Sequence, residues 1–282
     1  MLVDTGVIQA AGEHWQVQAE RLQGLKVPAT LVGVLQGTLD ALEAPERRSL
    51  QHASVVGAQF WDEALAAIDP QAPDHLPALS QRELTLLQAE SAFDGTREFG
   101  FRHHLLHQVT YGTVLKPDKR EAHGHAARWL QGRSQGREDE LASQIAGHFE
   151  RAGDTEQAIA YWLRAAEDAS RREANTAALA HVDRGLALDD GTDLPRQVRL
   201  HRVQCDVFKR AGDSAGHGRE LEILEALADR TDDDVLRLSV ANDRVWRLFM
   251  EARFAEAVEL AEERLARAEV PVRHAMPGAC TT

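Results

Sequence analysis

The chain has 282 residues, 43% hydrophobic and 27% charged, which is typical of a soluble globular protein with room for more than one hydrophobic core. Its formal net charge of −13 argues against a general nucleic-acid binder, because phosphate contacts require a positive surface. Two cysteines are too few for a disulfide framework, and no apolar run of about 18 residues predicts a membrane span, so we expect a cytoplasmic protein.

Residues 1–43 predict a strand pair followed by a helix. Val7-Ile8 and residues 15–17 are short extended segments on either side of a turn at residues 11–13. Apolar residues then recur at helical spacing up to Leu42, after Pro28, which suits the first turn of a helix. We therefore expect a hairpin and then a helix over residues 28–42.

Residues 44–131 predict a second domain with three helices and a hairpin. The helices cover residues 45–56, 60–68 and 74–82, and a strand over residues 84–90 pairs with residues 97–101 across a turn at Asp94-Gly95. Ser80 to Glu83 also fits a capping box, which would instead begin another helix there. We favour the hairpin, and with it a winged-helix unit.

A winged helix that reads DNA presents basic or amide side chains from its third helix. Here the third helix offers Asp74, His75, Gln81 and Arg82, and the tip of the hairpin offers Asp94, so the face is nearly neutral. This favours a structural, intramolecular winged helix. A DNA-binding transcriptional regulator is the alternative.

Residues 99–130 predict a junction between this α/β unit and an all-helical array. A strand ending at Phe101 passes into a helix carrying Leu105 and Val109, Pro117 ends that helix, and another helix follows. We expect Phe101 to pack beneath the first helix and Tyr111 to meet Trp129. The predicted structural junction consists of Phe101, His103, Leu105, Tyr111, His123 and Trp129.

No catalytic, cofactor-binding or metal-binding residue is predicted. His103 and His107 lie one helical turn apart, but no third strong ligand falls at a suitable spacing on the same helix, so we expect His103 and His123 to be packed, hydrogen-bonded side chains. No phosphate-binding loop and no nucleophile with a visible base occurs along the chain. We therefore expect that this chain is not an enzyme.

Residues 138–269 predict helical repeats. Ala158, Trp162 and Ala165 fit the alternation of small and aromatic residues on the second helix of a tetratricopeptide (TPR) repeat, where alanines allow close approach. The turn at residues 152–154 recurs at 211–213 and at 251–253, 59 and then 40 residues later. Because this period is irregular, we expect TPR-like repeats, followed by an irregular tail over residues 270–282.

An ordered series of residues resembles the signature of STAND-type bacterial signalling ATPases, especially those fused to adenylate/guanylate cyclase domains. The series is Phe101-Arg102-His103, Leu105-Leu106, Val109, Tyr111, Leu115, Arg120, His123, Ala127 and Trp129-Leu130. The resemblance extends from Met1 to about Ala268. It departs at Thr38-Leu39-Asp40, where relatives carry Arg-Leu-Asp, and in the missing phosphate-binding loop.

The resemblance implies a mainly α fold, with a winged-helix unit and a small β-hairpin followed by a TPR-like α-solenoid. It identifies residues 1–43 as the remnant of an ATPase lid. The implied function is a non-catalytic regulatory and protein-interaction fragment that couples signal sensing to a nucleotide switch. Its partners would be another protein or the missing ATPase and cyclase domains, with ATP as a cofactor of full-length relatives only.

Overall fold

The computed structural model describes residues 8–11, 14–17, 29–231 and 233–263, and divides into two compact units, Met1–Asp118 and Lys119–Thr282. Most of the described residues are helical and one sheet has three strands, which confirms the predicted mainly α class. Within the described ranges, no helix is both long and apolar enough to cross a membrane.

The first unit begins with the predicted hairpin. Strand β1 (Ile8–Ala11) pairs antiparallel with β2 (His14–Val17), in a register that places Ile8 opposite Val17. Helix α1 (Ala29–Asp40) follows and agrees with the predicted helix within two residues at each end.

The rest of the first unit contains short helices around a small sheet. Its elements are α2 (Ala44–Val56), β3 (Gln59–Trp61), α3 (Asp62–Ile68), a 3₁₀ turn (Ala72–His75), α4 (Leu76–Gln81), β4 (Thr85–Leu87), β5 (Glu98–Phe101) and α5 (His104–Thr113). The sheet order is β3-β5-β4 with antiparallel pairs. Leu50, Phe60, Leu65 and Leu79 are fully buried and form the centre of this unit.

Two predictions for this unit are corrected by the structure. Phe60 and Trp61 do not begin a helix but belong to β3, because Phe60 pairs with Phe99 of β5 and the two rings stack with centroids 5.8 Å apart. The predicted third helix is divided into the 3₁₀ turn and α4, which has Pro77 at its start. The hairpin prediction is confirmed with a shorter first strand.

The second unit is built from consecutive helices. They are α6 (Lys116–Arg133, which begins just before the unit), α7 (Glu138–Ala152), α8 (Thr155–Arg171), α9 (Asn175–Leu188), α10 (Leu194–Ala211), α11 (Ser214–Arg230), α12 (Asp234–Met250) and a helix over residues 254–263. From α7 to α12, each helix packs on the next one. Pro117 lies at the start of α6, so the helix break predicted there is confirmed.

The turns between these helices follow from local sequence. Gly153 and Gly212 adopt left-handed backbone angles (φ 77° and 72°), which cost glycine little and end α7 and α10. The aspartate after each glycine accepts a backbone N–H of the following helix, Asp154 from Gln157 and Asp213 from Gly216. At the third turn Ala252 takes the left-handed angle (φ 58°) without a glycine.

Candidate functional site

The predicted repeat-packing residues are buried in the second unit. Ala158, Trp162 and Ala165 of α8 are all shielded from solvent. The indole N–H of Trp162 donates to Glu150 of α7 at 3.0 Å, and its ring stacks on His181 of α9 at 5.3 Å between centroids. Trp162 therefore contacts the helices before and after its own, which is a structural role.

The contact between Phe101 and helix α5 is smaller than the sequence predicted for the junction. The half-buried Phe101 ring meets His107 of α5 edge-on at 5.1 Å, and His107 Nε2 lies 2.9 Å from the carbonyl oxygen of Ser54. Burial lowers the pKa of His107, so the neutral ring is favoured in this packing. His107 was not predicted to contribute to this contact.

Three further predictions concern helix α5. Leu105 is only half-buried, and the residue that enters the core is Leu106. The prediction that His103 is packed is wrong, because this residue is exposed and precedes α5 in an extended conformation. Tyr111 belongs to the first unit and stacks on His107 at 6.4 Å, while Trp129 belongs to the second, where the Arg133 guanidinium lies 6.0 Å from its ring. The Tyr111–Trp129 contact stays a prediction.

His123 of α6 is packed and hydrogen-bonded, as predicted, and its partner is a second buried histidine. The side chains of His123 and His148 (α7) are 3% and 5% exposed, and their Nδ1 atoms lie 2.9 Å apart. Because two protonated nitrogens cannot share that hydrogen bond, at least one ring is neutral at Nδ1. Burial lowers the pKa of His123 to about 3, and the nearby His148, Arg151 and Lys119 contribute to the shift.

Charged side chains between α10 and α12 are paired with one another. Asp243 of α12, 9% exposed, accepts hydrogen bonds from Arg202 and from Lys209, the latter at 2.9 Å. Burial raises the pKa of the neighbouring Asp206 carboxyl, and it raises the pKa of the Cys205 thiol to about 12. A buried thiol whose pKa is raised in this way is a poor nucleophile.

An exposed apolar surface of the second unit lies between α12 and the helix over residues 254–263. We call it the C-terminal groove, a depression of about 480 Å³. It is lined by Lys209, Asn242, Val245, Trp246, Phe249, Phe254, Ala257, Val258 and Ala261. The Lys209 ammonium lies 4.4 Å from the centre of the Trp246 ring, where a cation–π contact holds the indole in place.

The C-terminal groove was not predicted from the sequence, although the clustering of aromatic residues in a low-aromatic chain was a signal for it. Trp246, Phe249 and Phe254 are three of the few aromatic side chains, which make up 5% of the residues. Among the described residues, no group of three or more His, Cys, Asp or Glu side chains is arranged to hold a metal ion.

No family model, no curated protein and no solved structure matches this chain.

Proposed function

We propose that this chain is a non-catalytic regulatory part of a STAND-type signalling ATPase of the adenylate/guanylate cyclase-associated kind. Its second unit is a TPR-like array that receives a signal by protein–protein contact. Its first unit is a winged helix that couples this signal to the nucleotide switch of the parent protein.

The observation that carries this proposal is the recurrence of one helix–turn–helix unit. The turns at Gly153 and Gly212 share the left-handed glycine and the aspartate cap, and Trp162 bridges three successive helices. Arrays in which each helix contacts mainly its neighbours present extended surfaces to partners.

The first unit supports the winged-helix part of the proposal through its element order. Between residues 44 and 81, α2, α3 and the 3₁₀ turn with α4 precede the β4–β5 hairpin, and β3 completes the sheet. Leu76 and Leu79 of the six-residue α4 are buried, and Arg82 lies 3.5 Å from the Glu46 carboxylate. The apolar face of α4 is buried and the arginine that follows it is paired with a carboxylate of the same unit, which favours an intramolecular role over the alternative of DNA recognition.

The proposal is tested by sequencing the coding region directly upstream of Met1. We expect a phosphate-binding loop in frame, and we expect the continuous product to bind ATP and to change the hydrogen exchange of α7 to α12 when it does. The present chain alone should give no heat of binding with Mg-ATP in isothermal titration. Binding of ATP by this chain at low micromolar concentration would contradict the proposal.

The DNA-binding alternative is tested by a gel shift at physiological salt. We expect no sequence-selective retention, because the net charge of −13 opposes phosphate contact. Selective retention at submicromolar protein would favour the alternative.

A further inference from the structure

Helix α12 is apolar on two opposite sides. Its inward side buries Val240, Ala241 and Leu248, and the helix packs on α11. On the outward side a second apolar set is exposed, and at 100° per residue its members fall within one arc of the helix. The set is Val235, Leu238, Trp246, Phe249 and Met250. Contiguous exposed apolar side chains of this kind mark interaction sites, so this side is suited to a partner.

The shape of the C-terminal groove fits one further helix. The helix over residues 254–263 forms its second wall through Phe254, Ala257, Val258 and Ala261, which recur at three- and four-residue intervals. The outward stripe from Val235 to Phe249 extends over about 21 Å at 1.5 Å per residue. An amphipathic helix of about four turns would match that length.

The charges around the C-terminal groove favour a basic occupant. Residues 233–263 contain eight acidic and four basic side chains, a net charge of −4. Each of the four arginines lies within ion-pairing distance of a carboxylate: Arg237 of Asp234, Arg244 of Glu225, Arg247 of Glu251 and Arg253 of Glu256. Lys209 likewise forms an ion pair with Asp243. The positive charges of this surface are therefore compensated, and acid is left in excess.

Glu262 is exposed and, at 100° per residue, flanks the groove-lining side of the helix over residues 254–263. A second copy of this chain in the groove would bring two surfaces of negative net charge together, which opposes self-association. A helix with Lys or Arg beside its apolar face would complement the negative charge.

We propose that the C-terminal groove binds an amphipathic helix of a partner protein, with apolar residues facing Trp246 and Phe249 and basic residues on the side of Glu262. This inference rests on the proposed role of the second unit as an interaction array. The partner's apolar anchors recur at i, i+3 or i+4 and i+7, which is the pattern of helix-in-groove recognition.

The test uses two fluorescein-labelled synthetic helices with the same leucine face, one flanked by lysines and the other by glutamates. Anisotropy titrations with the full chain are expected to show binding of the lysine helix, weakened by added salt, and much weaker binding of the glutamate helix. Phe249→Ser should raise the Kd of the lysine helix by about tenfold or more. Leu87→Ser is the matched control, because Leu87 and Phe249 are both 59% exposed and Leu87 lies in the other unit.

The charge contribution is tested separately. Glu262→Lys should weaken binding of the lysine helix and strengthen binding of the glutamate helix, whereas Glu90→Lys, an exposed change in the first unit, should do neither. All four positions are exposed, so the variants should fold, and circular dichroism checks this.

Equal binding of the two helices, or an unchanged Kd in Phe249→Ser, would overturn the inference while leaving the ATPase-related proposal to its own test. Two other outcomes would also overturn it by identifying a different occupant. A dimer in sedimentation velocity that Phe249→Ser abolishes would identify a second copy of the chain. A rise in probe affinity on changing Val270 and Val272 to aspartate would identify the chain's own C-terminal residues.

Discussion

Removing the buried His123–His148 pair should change how the stability of the second unit depends on pH. The pKa of His123 is about 3 in the folded chain and about 6.5 as an unperturbed side chain. Above pH 6.5 the ring is neutral in both states, so it adds no pH dependence. Between pH 6.5 and 3 only the unfolded chain takes up the proton, so the stability of the fold falls as pH falls.

The magnitude follows from 1.36 kcal/mol per pKa unit. Between pH 7 and pH 5, His123 should reduce the free energy of unfolding by about 2 kcal/mol. The double variant His123→Leu with His148→Leu lacks this contribution. Since both hydrogen-bonding partners are replaced together, its stability at pH 7 should lie near that of the native chain.

The assay is urea denaturation followed by circular dichroism at pH 7 and at pH 5, for the native chain and the double variant. Carboxylates and the other histidines titrate in both proteins, so the difference between the two pH dependences isolates the pair. His125→Leu, on the same helix and half-exposed, is the control and should keep the native dependence. Identical pH dependence in the native chain and the double variant would refute the reasoning.

Three further substitutions test the packing, each by the free energy of unfolding from urea denaturation. Gly185→Ala should destabilise by about 1–3 kcal/mol, because a Cβ there would lie 2.9 Å from Cδ2 of the fully buried Leu200; an unchanged value would mean that Leu200 moves freely. Asp213→Ala should lower the free energy of unfolding by about 1 kcal/mol through loss of the α11 cap, and Asp213→Asn should keep most of the stabilisation that the cap provides. Phe101→Ala should cost about 2–3 kcal/mol, below the range for a fully buried ring. If the predicted junction couples the units, this variant should also melt in two transitions, and one unshifted transition would contradict that.

Much of the second unit was predictable because its signals are local. Helix α8 begins and ends where predicted, at Thr155 and Arg171, and its start is predictable because the aspartate cap and the glycine before it act within a few residues. The burial of Ala158, Trp162 and Ala165 also followed from their spacing on one helix face. The interaction surface was not predicted, because an apolar residue in a sequence does not reveal whether a neighbour covers it.

The sequence by itself determined the helical class, the β4–β5 hairpin and the turns of the array, since caps, glycines and apolar periodicity act over short distances along the chain. The tertiary structure alone decided which residues those elements meet. Phe60 became a strand residue because Phe99 pairs with it, and Leu106, not Leu105, entered the core. His123 forms a hydrogen bond with His148, 25 residues further along the chain, and the outward side of α12 is exposed. Contacts of this kind depend on the free energy of packing between distant segments, which no local pattern contains.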